Sequence, residues 1–302
     1  FGTPLESITE EEIEVEVFPN RPDLISLQGF IRSFKTFLGK SKEFKQYQVN
    51  KPKENYEVTI EKSVKEVRPF TTCAIVSNLE LNDTKIKQII DLQEKLHFTI
   101  GRNRKKVAIG IYPLEKIKLP IKYHALPPEK IKFIPLEETK ELTAQQILNR
   151  HPKGKDFAHL LKNHDLFPIF SDAKGKILSM PPIINSEETG KVTAQTKEIF
   201  IECSGTHLLT LEKTLNIIVT TLADMGGKIY AMTLNYEKEK IITPNLSPER
   251  MKISLENTNK LLGLNLNEKQ IKVFLEKMGY EYKNKTVEIP AWRTDILQEV
   301  DL

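Results

Sequence analysis

Cysteine is almost missing from these 302 residues: Cys73 and Cys203 are the only two, so neither a disulfide framework nor a four-thiolate zinc site can be assembled. Both read as small buried hydrophobes. Long apolar runs are lacking as well. No stretch reaches the roughly 18–20 uninterrupted apolar residues of a membrane span, and the acidic N-terminal region lacks the basic-then-apolar layout of a signal peptide. A cytoplasmic location without a membrane partner is expected. Also missing are a Gly-x-Ser-x-Gly elbow, a phosphate-cradling glycine loop, a His-Glu-x-x-His zinc helix, and any fixed-period repeat or low-complexity tract. The six histidines, at 97, 124, 151, 159, 164 and 207, fall without metal-ligand spacing, although 151 and 159 could share a helical face. Each reads as a surface or structural histidine. Common ATP-binding and metallohydrolase patterns are thereby excluded, while the chemistry itself stays open.

What is present belongs to a folded chain. The composition is 39% hydrophobic and 28% charged, ordinary for a globular protein, and the length allows two or three domains. A net charge of +4 permits a polyanionic partner without requiring one. The chain starts at Phe1 and stops at Leu302 in an acidic, helix-like run, which reads as part of something longer.

Residues 11–17 alternate Glu with Ile and Val, the pattern of a half-exposed strand, and a turn at 19–23 ends it. Asp23 is placed to cap a helix in which Leu24, Leu27, Phe30, Ile31, Phe34 and Leu38 recur at helical spacing until Gly39. A polar stretch at 40–55 reads as a linker, with a boundary near 45. From there to about 244 strands and helices interleave: strands at 56–60, 70–79, 106–112, 198–203 and 228–236, helices at 85–96, 144–148, 156–161 and 209–225. Pro244 and Pro248 mark a second joint. Beyond it come short helices at 255–262 and 268–278 and a strand at 287–289. This is a multidomain α+β chain: a small N-terminal α+β unit (1–45), a mixed middle domain (46–244), and a C-terminal helical module with a β wing (245–302).

Three polar clusters invite a chemical reading, each beside a bland one. Gln93 and Glu94 on a helix, with the basic loop 101–106, suit a phosphate-bearing ligand; a solvated charged turn is the alternative. Residues 179–189 run through Pro181 and Pro182, which fix a rigid extended path ending in polar side chains, or else form a plain polar loop. Glu202 to Thr206 follow the apolar run 199–201 and lie at a buried strand's end, where pockets open but turn chemistry is also common. Arg293, Asp295, Glu299 and Asp301 crowd the C-terminus, where two carboxylates could join a Mg²⁺ site and where helix capping by Asp295 explains half of that pattern.

Taken in order, Pro19-Asn20-Arg21-Pro22-Asp23-Leu24, Leu92 to His97, Gly101 to Gly110, His151-Pro152-Lys153-Gly154, Leu178 to Ser186, and Arg293 to Leu302 form a collinear series. On it the chain resembles the β subunit of phenylalanyl-tRNA synthetase, archaeal/eukaryotic type, over essentially all 302 residues. The resemblance implies that the middle is an editing domain, which hydrolyses tyrosine wrongly esterified to the phenylalanine tRNA. It implies tRNA and the synthetase α subunit as partners, in an α2β2 enzyme. ATP binding and aminoacylation belong to parts missing here, and a monomer is expected for this piece. Carried over position by position, Ser179, Glu202 and Ser204 surround the tyrosine hydroxyl and Phe170 is an apolar wall. Asn185, Arg104, Gln93 and Glu94 lie near the ester; Leu136 and Lys191 meet the terminal adenosine. Glu202 and Ser204 stand where archaeal relatives often have Asp and Thr. Asp295 and Asp301 match two carboxylates of a Mg²⁺ site used by the full enzyme, incomplete in this chain, whereas editing needs no cofactor. The expected mechanism is attack by a positioned water, with Asn185 and Arg104 on the ester and Gln93 or Glu94 on the water. A tRNA-binding or subunit-docking module without hydrolysis is the second reading, and a generic esterase the third.

Overall fold

A computed structural model describes residues 1–41 and 44–302; Lys42 and Glu43, inside the polar stretch read as a linker, lie outside the described residues. The chain divides into two units, Phe1–Tyr47 together with Leu246–Leu302, and Gln48–Asn245. The first begins with an antiparallel hairpin, β1 (Leu5–Ile8) and β2 (Ile13–Val15), so the acidic alternation supplies only a short strand. The helix that follows, α1 (Leu27–Phe37), is capped by Ser26, whose hydroxyl accepts from Gly29 N at 3.0 Å. Asp23 does not cap it. Its buried carboxylate accepts instead from Arg21 Nε and Nη2, both at 2.9 Å, and is thereby withdrawn from the helix end. Gly39, at φ +69°, stops the helix in the left-handed conformation glycine tolerates.

The second unit is built on one large mixed sheet. In chain order its elements are β3 (Val49–Asn50), β4 (Glu57–Ile60), β5 (Phe70–Ser77), α2 (Asp83–Phe98), β6 (Val107–Pro113), β7 (Ile121–Leu126), β8 (Lys132–Phe133), β9 (Leu142–Thr143), α3 (Ala144–Arg150) and α4 (Pro152–Phe157). Then come β10 (Phe167–Ser171), β11 (Ile177–Met180), β12 (Ile184–Asn185), α5 (Glu187–Gly190), β13 (Ile199–Gly205), α6 (Leu208–Asp224), β14 (Lys228–Asn235) and β15 (Lys240–Thr243). The strand order is β12-β11-β10-β7-β4-β14-β5-β13-β6, with β15 and β3 also on β14. Among the described residues only the pairs β14–β3, β14–β4 and β4–β7 are parallel.

Why β13 is a strand with no exposed residue follows from its place: it runs between β5 and β6 and is covered by α6. That explains its unbroken Ile-Phe-Ile run and the apolar character of α6, which buries Leu211, Leu215, Ile218 and Leu222 along with the residues between Thr214 and Thr221. The prolines at 181 and 182 do not lie in an extended path. They form the turn of the β11–β12 hairpin, closed by Ile183 N donating to Met180 O at 2.9 Å, and this turn swings Asn185 back opposite Ser179.

The C-terminal segment returns to the first unit with β16 (Glu249–Lys252), α7 (Leu255–Leu262), α8 (Glu268–Lys277), β17 (Glu281–Lys283) and β18 (Thr286–Ile289), the strands ordered β16-β18-β17. Ile271, Leu275, Val287 and Ile289 make its core. Buried Trp292 meets Tyr47 edge-on at 5.3 Å and lies under the Arg32 guanidinium at 4.5 Å, which joins the two terminal segments the sequence reading kept apart. Among the described residues no helix is long and apolar enough to cross a membrane.

Leu215 is fully buried at the centre of α6, so Leu215→Ala should cost about 2–5 kcal/mol through lost burial and an unfilled cavity. Chemical denaturation of both proteins measures it.

Candidate functional site

The cleft begins with a steric allowance on β6. Glu202 of β13 is registered against Gly110, and a Cβ there would collide with Tyr112 Oη and Glu202 Oε1. Glycine therefore admits two polar heads into a sheet otherwise packed with apolar residues. Glu202 is 1% exposed, and Tyr112 donates to its Oε1 at 3.2 Å. Oε2 has no partner. Burial pushes this carboxyl up to about 8, so near neutral pH it is mostly protonated and both donates and accepts. Ser179 on β11 faces Asn185 on β12 in direct register, which puts both side chains on one face. The Ser179 hydroxyl is buried beside that of Tyr112 and makes no hydrogen bond of ordinary geometry, while Asn185 Oδ1 lies 3.4 Å from Tyr112 Oη.

The wall opposite is α2, where Ile86, Ile89, Ile90, Gln93, Glu94 and His97 share a face at helical spacing. Gln93 donates from Nε2 to Ile109 O at 2.8 Å, which fixes its carboxamide. The Ile109 amide donates to His97 Nε2 at 2.8 Å, so the neutral ring carries its proton on Nδ1, pointed at Glu94 Oε1 at 3.2 Å. Burial holds His97 down to about 4. Its hydrogen bond, outweighing burial and helped by Arg104, brings the half-exposed Glu94 to about 2. Glu94 is thus an anion too weakly basic to take a proton from water, but able to orient one.

Arg104 reaches this site because residues 102–104 take three successive left-handed conformations, at φ 48°, 52° and 65°. Such backbone is costly for side-chain-bearing residues and needs support from outside. Arg68 supplies it: fully buried, it donates from Nη2 to Arg104 O at 3.2 Å and to Ser204 O at 2.6 Å, tying the basic loop to the end of β13. The Arg104 guanidinium then spans the cleft, with Nη2 on Glu94 at 3.0 Å, Nη1 on Ile183 O at 2.9 Å and the Phe157 ring 4.4 Å below. His151 accepts at Nδ1 from Lys153 N and turns Nε2 to Leu136 O, both at 3.2 Å; Leu136 N in turn donates to Asn185 O at 2.9 Å.

These residues line a cleft of about 480 Å³, within the usual range for a small-molecule site. Gln93, Glu94, Arg104, Leu136, Ser179, Asn185, Lys191 and Glu202 all reach it. Phe170 and Ser204 do not. Phe170 is in the same cross-strand row as Ser179 but lies two strands inward from Asn185, stacked on Tyr123 at 4.3 Å and fully buried. The Ser204 hydroxyl accepts from Arg68 Nε at 3.2 Å. Both Nη groups of Arg104 hold protein atoms, while its Nε is buried without a partner, so this cation shapes the cleft and supplies positive field to it. Tyr112, Arg68, His97 and His151 were missed as site residues. His97 had a signal, three residues after Glu94 on one helical face, and His151 opens one of the collinear motifs; Arg68 had none.

Asp295 and Asp301 lie in the other unit. Asp295 takes Arg293 Nε and Nη2 on its two oxygens at 2.7 and 2.6 Å, so it forms an ion pair and caps no helix. Asp301 accepts from Leu297 N and Gln298 N at 2.9 and 2.8 Å. Mg²⁺ takes a near-octahedral set of oxygen ligands, and two carboxylates, both engaged by protein donors, are too few to supply one from this chain alone. Among the described residues no group of three or more His, Cys, Asp or Glu could hold a metal ion.

Residues 56–218 match the B3/4 domain family and residues 251–302 the tRNA synthetase B5 domain family. The phenylalanine–tRNA ligase β subunit of Thermococcus sibiricus is 42% identical over 287 residues, 94% of this chain and 51% of its own length. That of Archaeoglobus fulgidus is 38% identical over 305 residues, covering 100% of this chain and 55% of its own. The chain therefore spans about half the length of the curated relatives it matches. A crystal structure of an N-terminal fragment of the phenylalanyl-tRNA synthetase β subunit from Pyrococcus horikoshii superposes with a TM-score of 0.93 at 40% identity, over 99% of this chain and 88% of that one.

Glu202 binds its proton more tightly folded than unfolded, its pKa moving from 4.5 to about 8; its favourable contribution is full below 4.5 and is lost as pH rises through 8. His97 runs the other way: its contribution is full above 6.5 and is lost as pH falls toward about 4. Glu202→Gln cannot ionise, so its melting temperature should gain on the unmodified chain steadily from pH 5 to pH 8. A pH series of thermal melts that shows parallel curves would contradict this assignment.

Proposed function

This chain belongs to the phenylalanyl-tRNA synthetase β-subunit family, and we propose that its 48–245 unit hydrolyses the ester between tyrosine and the phenylalanine tRNA. The observation that carries this reading is a pair of buried polar atoms, Ser179 Oγ and Glu202 Oε2, left without partners at the floor of a largely apolar cleft. A phenol hydroxyl satisfies both. A phenyl ring satisfies neither, and each buried group left unpaired costs about 1–3 kcal/mol. An editing step is needed because a pocket shaped for phenylalanine rejects the hydroxylated isostere by only about 10²-fold.

The ring enters between the α2 isoleucines and the β11–β12 turn, hydroxyl inward, which leaves the ester near Asn185, Gln93 and Glu94. The Asn185 amide holds the ester carbonyl and the oxyanion formed from it. Gln93 and the Glu94 carboxylate orient the water. The water oxygen adds to the carbonyl carbon and the bond to the ribose oxygen breaks; one proton goes to that oxygen and the other to solvent. Tyrosine and uncharged tRNA are released. An aminoacyl ester is activated already, so neither a nucleophilic side chain nor a cofactor is required. The Glu94 anion is balanced by Arg104 and Lys153, and the loop at 102–106 meets the nucleic-acid backbone. Leu136 and Lys191 at the mouth take the terminal adenosine. Assembly with an α subunit as α2β2, a cytoplasmic setting, and Mg²⁺ in a longer chain belong to the same proposal. A tRNA-binding or subunit-docking module without hydrolysis is the alternative.

Release of labelled amino acid from tyrosyl and phenylalanyl esters of the phenylalanine tRNA tests this. Tyrosine should leave faster, and Asn185→Ala should slow its release by about 10²–10³-fold. No release above background, with tRNA still bound, would establish the binding module instead.

A further inference from the structure

We propose that Tyr112 is a positioning residue that couples reading of the substrate hydroxyl at Glu202 to the orientation of the Asn185 amide. The inference rests on the editing reading above and deepens it, since it places selectivity for tyrosine in the rate of ester cleavage as well as in binding.

Tyr112 is behind the cleft surface, fully buried and stacked on Phe200 at 5.7 Å. A core aromatic needs no hydroxyl, yet this one aims its oxygen at two side chains that do line the cleft, 3.2 Å from Glu202 Oε1 and 3.4 Å from Asn185 Oδ1. Gly110 keeps the space between them open. One phenolic proton thus faces two acceptors, and what Glu202 does decides where it points.

With no ligand, Tyr112 donates to Glu202 Oε1. When a substrate hydroxyl comes to donate, the neutral carboxyl makes a half-turn about its Cγ–Cδ bond, so that its carbonyl oxygen faces the substrate and its O–H donates to the Tyr112 oxygen, with no bond broken. Tyr112 then donates to Asn185 Oδ1. The chain runs in one direction, substrate O–H to Glu202, Glu202 O–H to Tyr112, Tyr112 O–H to Asn185. Each bond polarises the next, and the Asn185 amide nitrogen is left facing the ester as a better donor. Phenylalanine has no proton with which to start the series. The side chain has only to be held, so no bond is made or broken in Tyr112 itself.

Tyr112→Phe keeps the ring packing and removes the relay. In the 302-residue chain, kcat for tyrosyl-ester release should fall about tenfold with KM within about twofold and phenylalanyl-ester release should not change; the thermal melt should stay cooperative but shift down, since Glu202 Oε1 loses its donor. Adding Tyr112→Phe to Glu202→Gln should cost little more than Glu202→Gln alone, because that change already interrupts the chain. Unchanged kcat in Tyr112→Phe, equal loss on both esters, a rise in KM alone, or multiplied losses in the double variant would each overturn the coupling. These results are distinct from failure of the editing reading, in which the unmodified chain itself shows no preference for tyrosine and no response to Asn185→Ala.

Discussion

A carboxylate buried in the middle of a sheet is the constraint on which this site depends. Glu202 occupies a position on β13 where neighbours on both sides are apolar, and transferring an ionised carboxylate there unaided would be prohibitive. Three features make it tolerable. Gly110 gives it volume, Tyr112 gives one oxygen a donor, and burial keeps it protonated into the neutral range. The remaining oxygen is not compensated by the protein. A buried carboxyl oxygen without a hydrogen-bond partner next to an unsatisfied serine hydroxyl is a standing energetic debit in the free protein, and a ligand that brings its own hydroxyl relieves it.

The other end of the cleft solves the opposite problem, how to keep a carboxylate ionised beside apolar walls. Glu94 is half-exposed and shares Oε1 between His97 and Arg104. His97 can serve only while neutral, and its Nε2 acceptor bond from Ile109 sets the tautomer that makes this possible. Arg104 arrives through a left-handed loop held down by Arg68. Glu202 and Glu94 therefore stand at about 8 and about 2, one an acid that reads a hydroxyl and one an anion that orders water. Such separation of two like groups by environment assigns their roles without any difference in their chemistry.

Much of the frame was legible in the chain. The helix at 255–262 and the long helix ending at Gly226 follow from apolar spacing and terminal glycines, and the strand after residue 198 from its Ile-Phe-Ile run. Short elements with weak local signals were not: Leu5–Ile8 and the β11–β12 strands are short hairpin arms with little periodicity of their own, while Glu249–Lys252 and β10 depend on partners about forty residues away, β18 and β7. Ser26 displaced Asp23 as helix cap because Arg21 had already claimed the acid. Most site residues carried over by resemblance do reach one cleft, whereas Phe170 and Ser204 are removed from it by a stacked tyrosine and a buried arginine.

The sequence by itself determined the α+β class and the set of polar residues from which a site could be drawn, because periodicity, turn residues and motif order are local properties. Tertiary structure alone decided which of those residues meet and in what protonation state. Register across β13 and β6 brings Glu202 over Gly110, the hairpin turn at 181–182 brings Asn185 to Ser179, and burial then shifts each carboxyl. Registry and desolvation depend on contacts between residues far apart in the chain, 90 positions for Tyr112 and Glu202 and 136 for Arg68 and Ser204, and no local pattern encodes them.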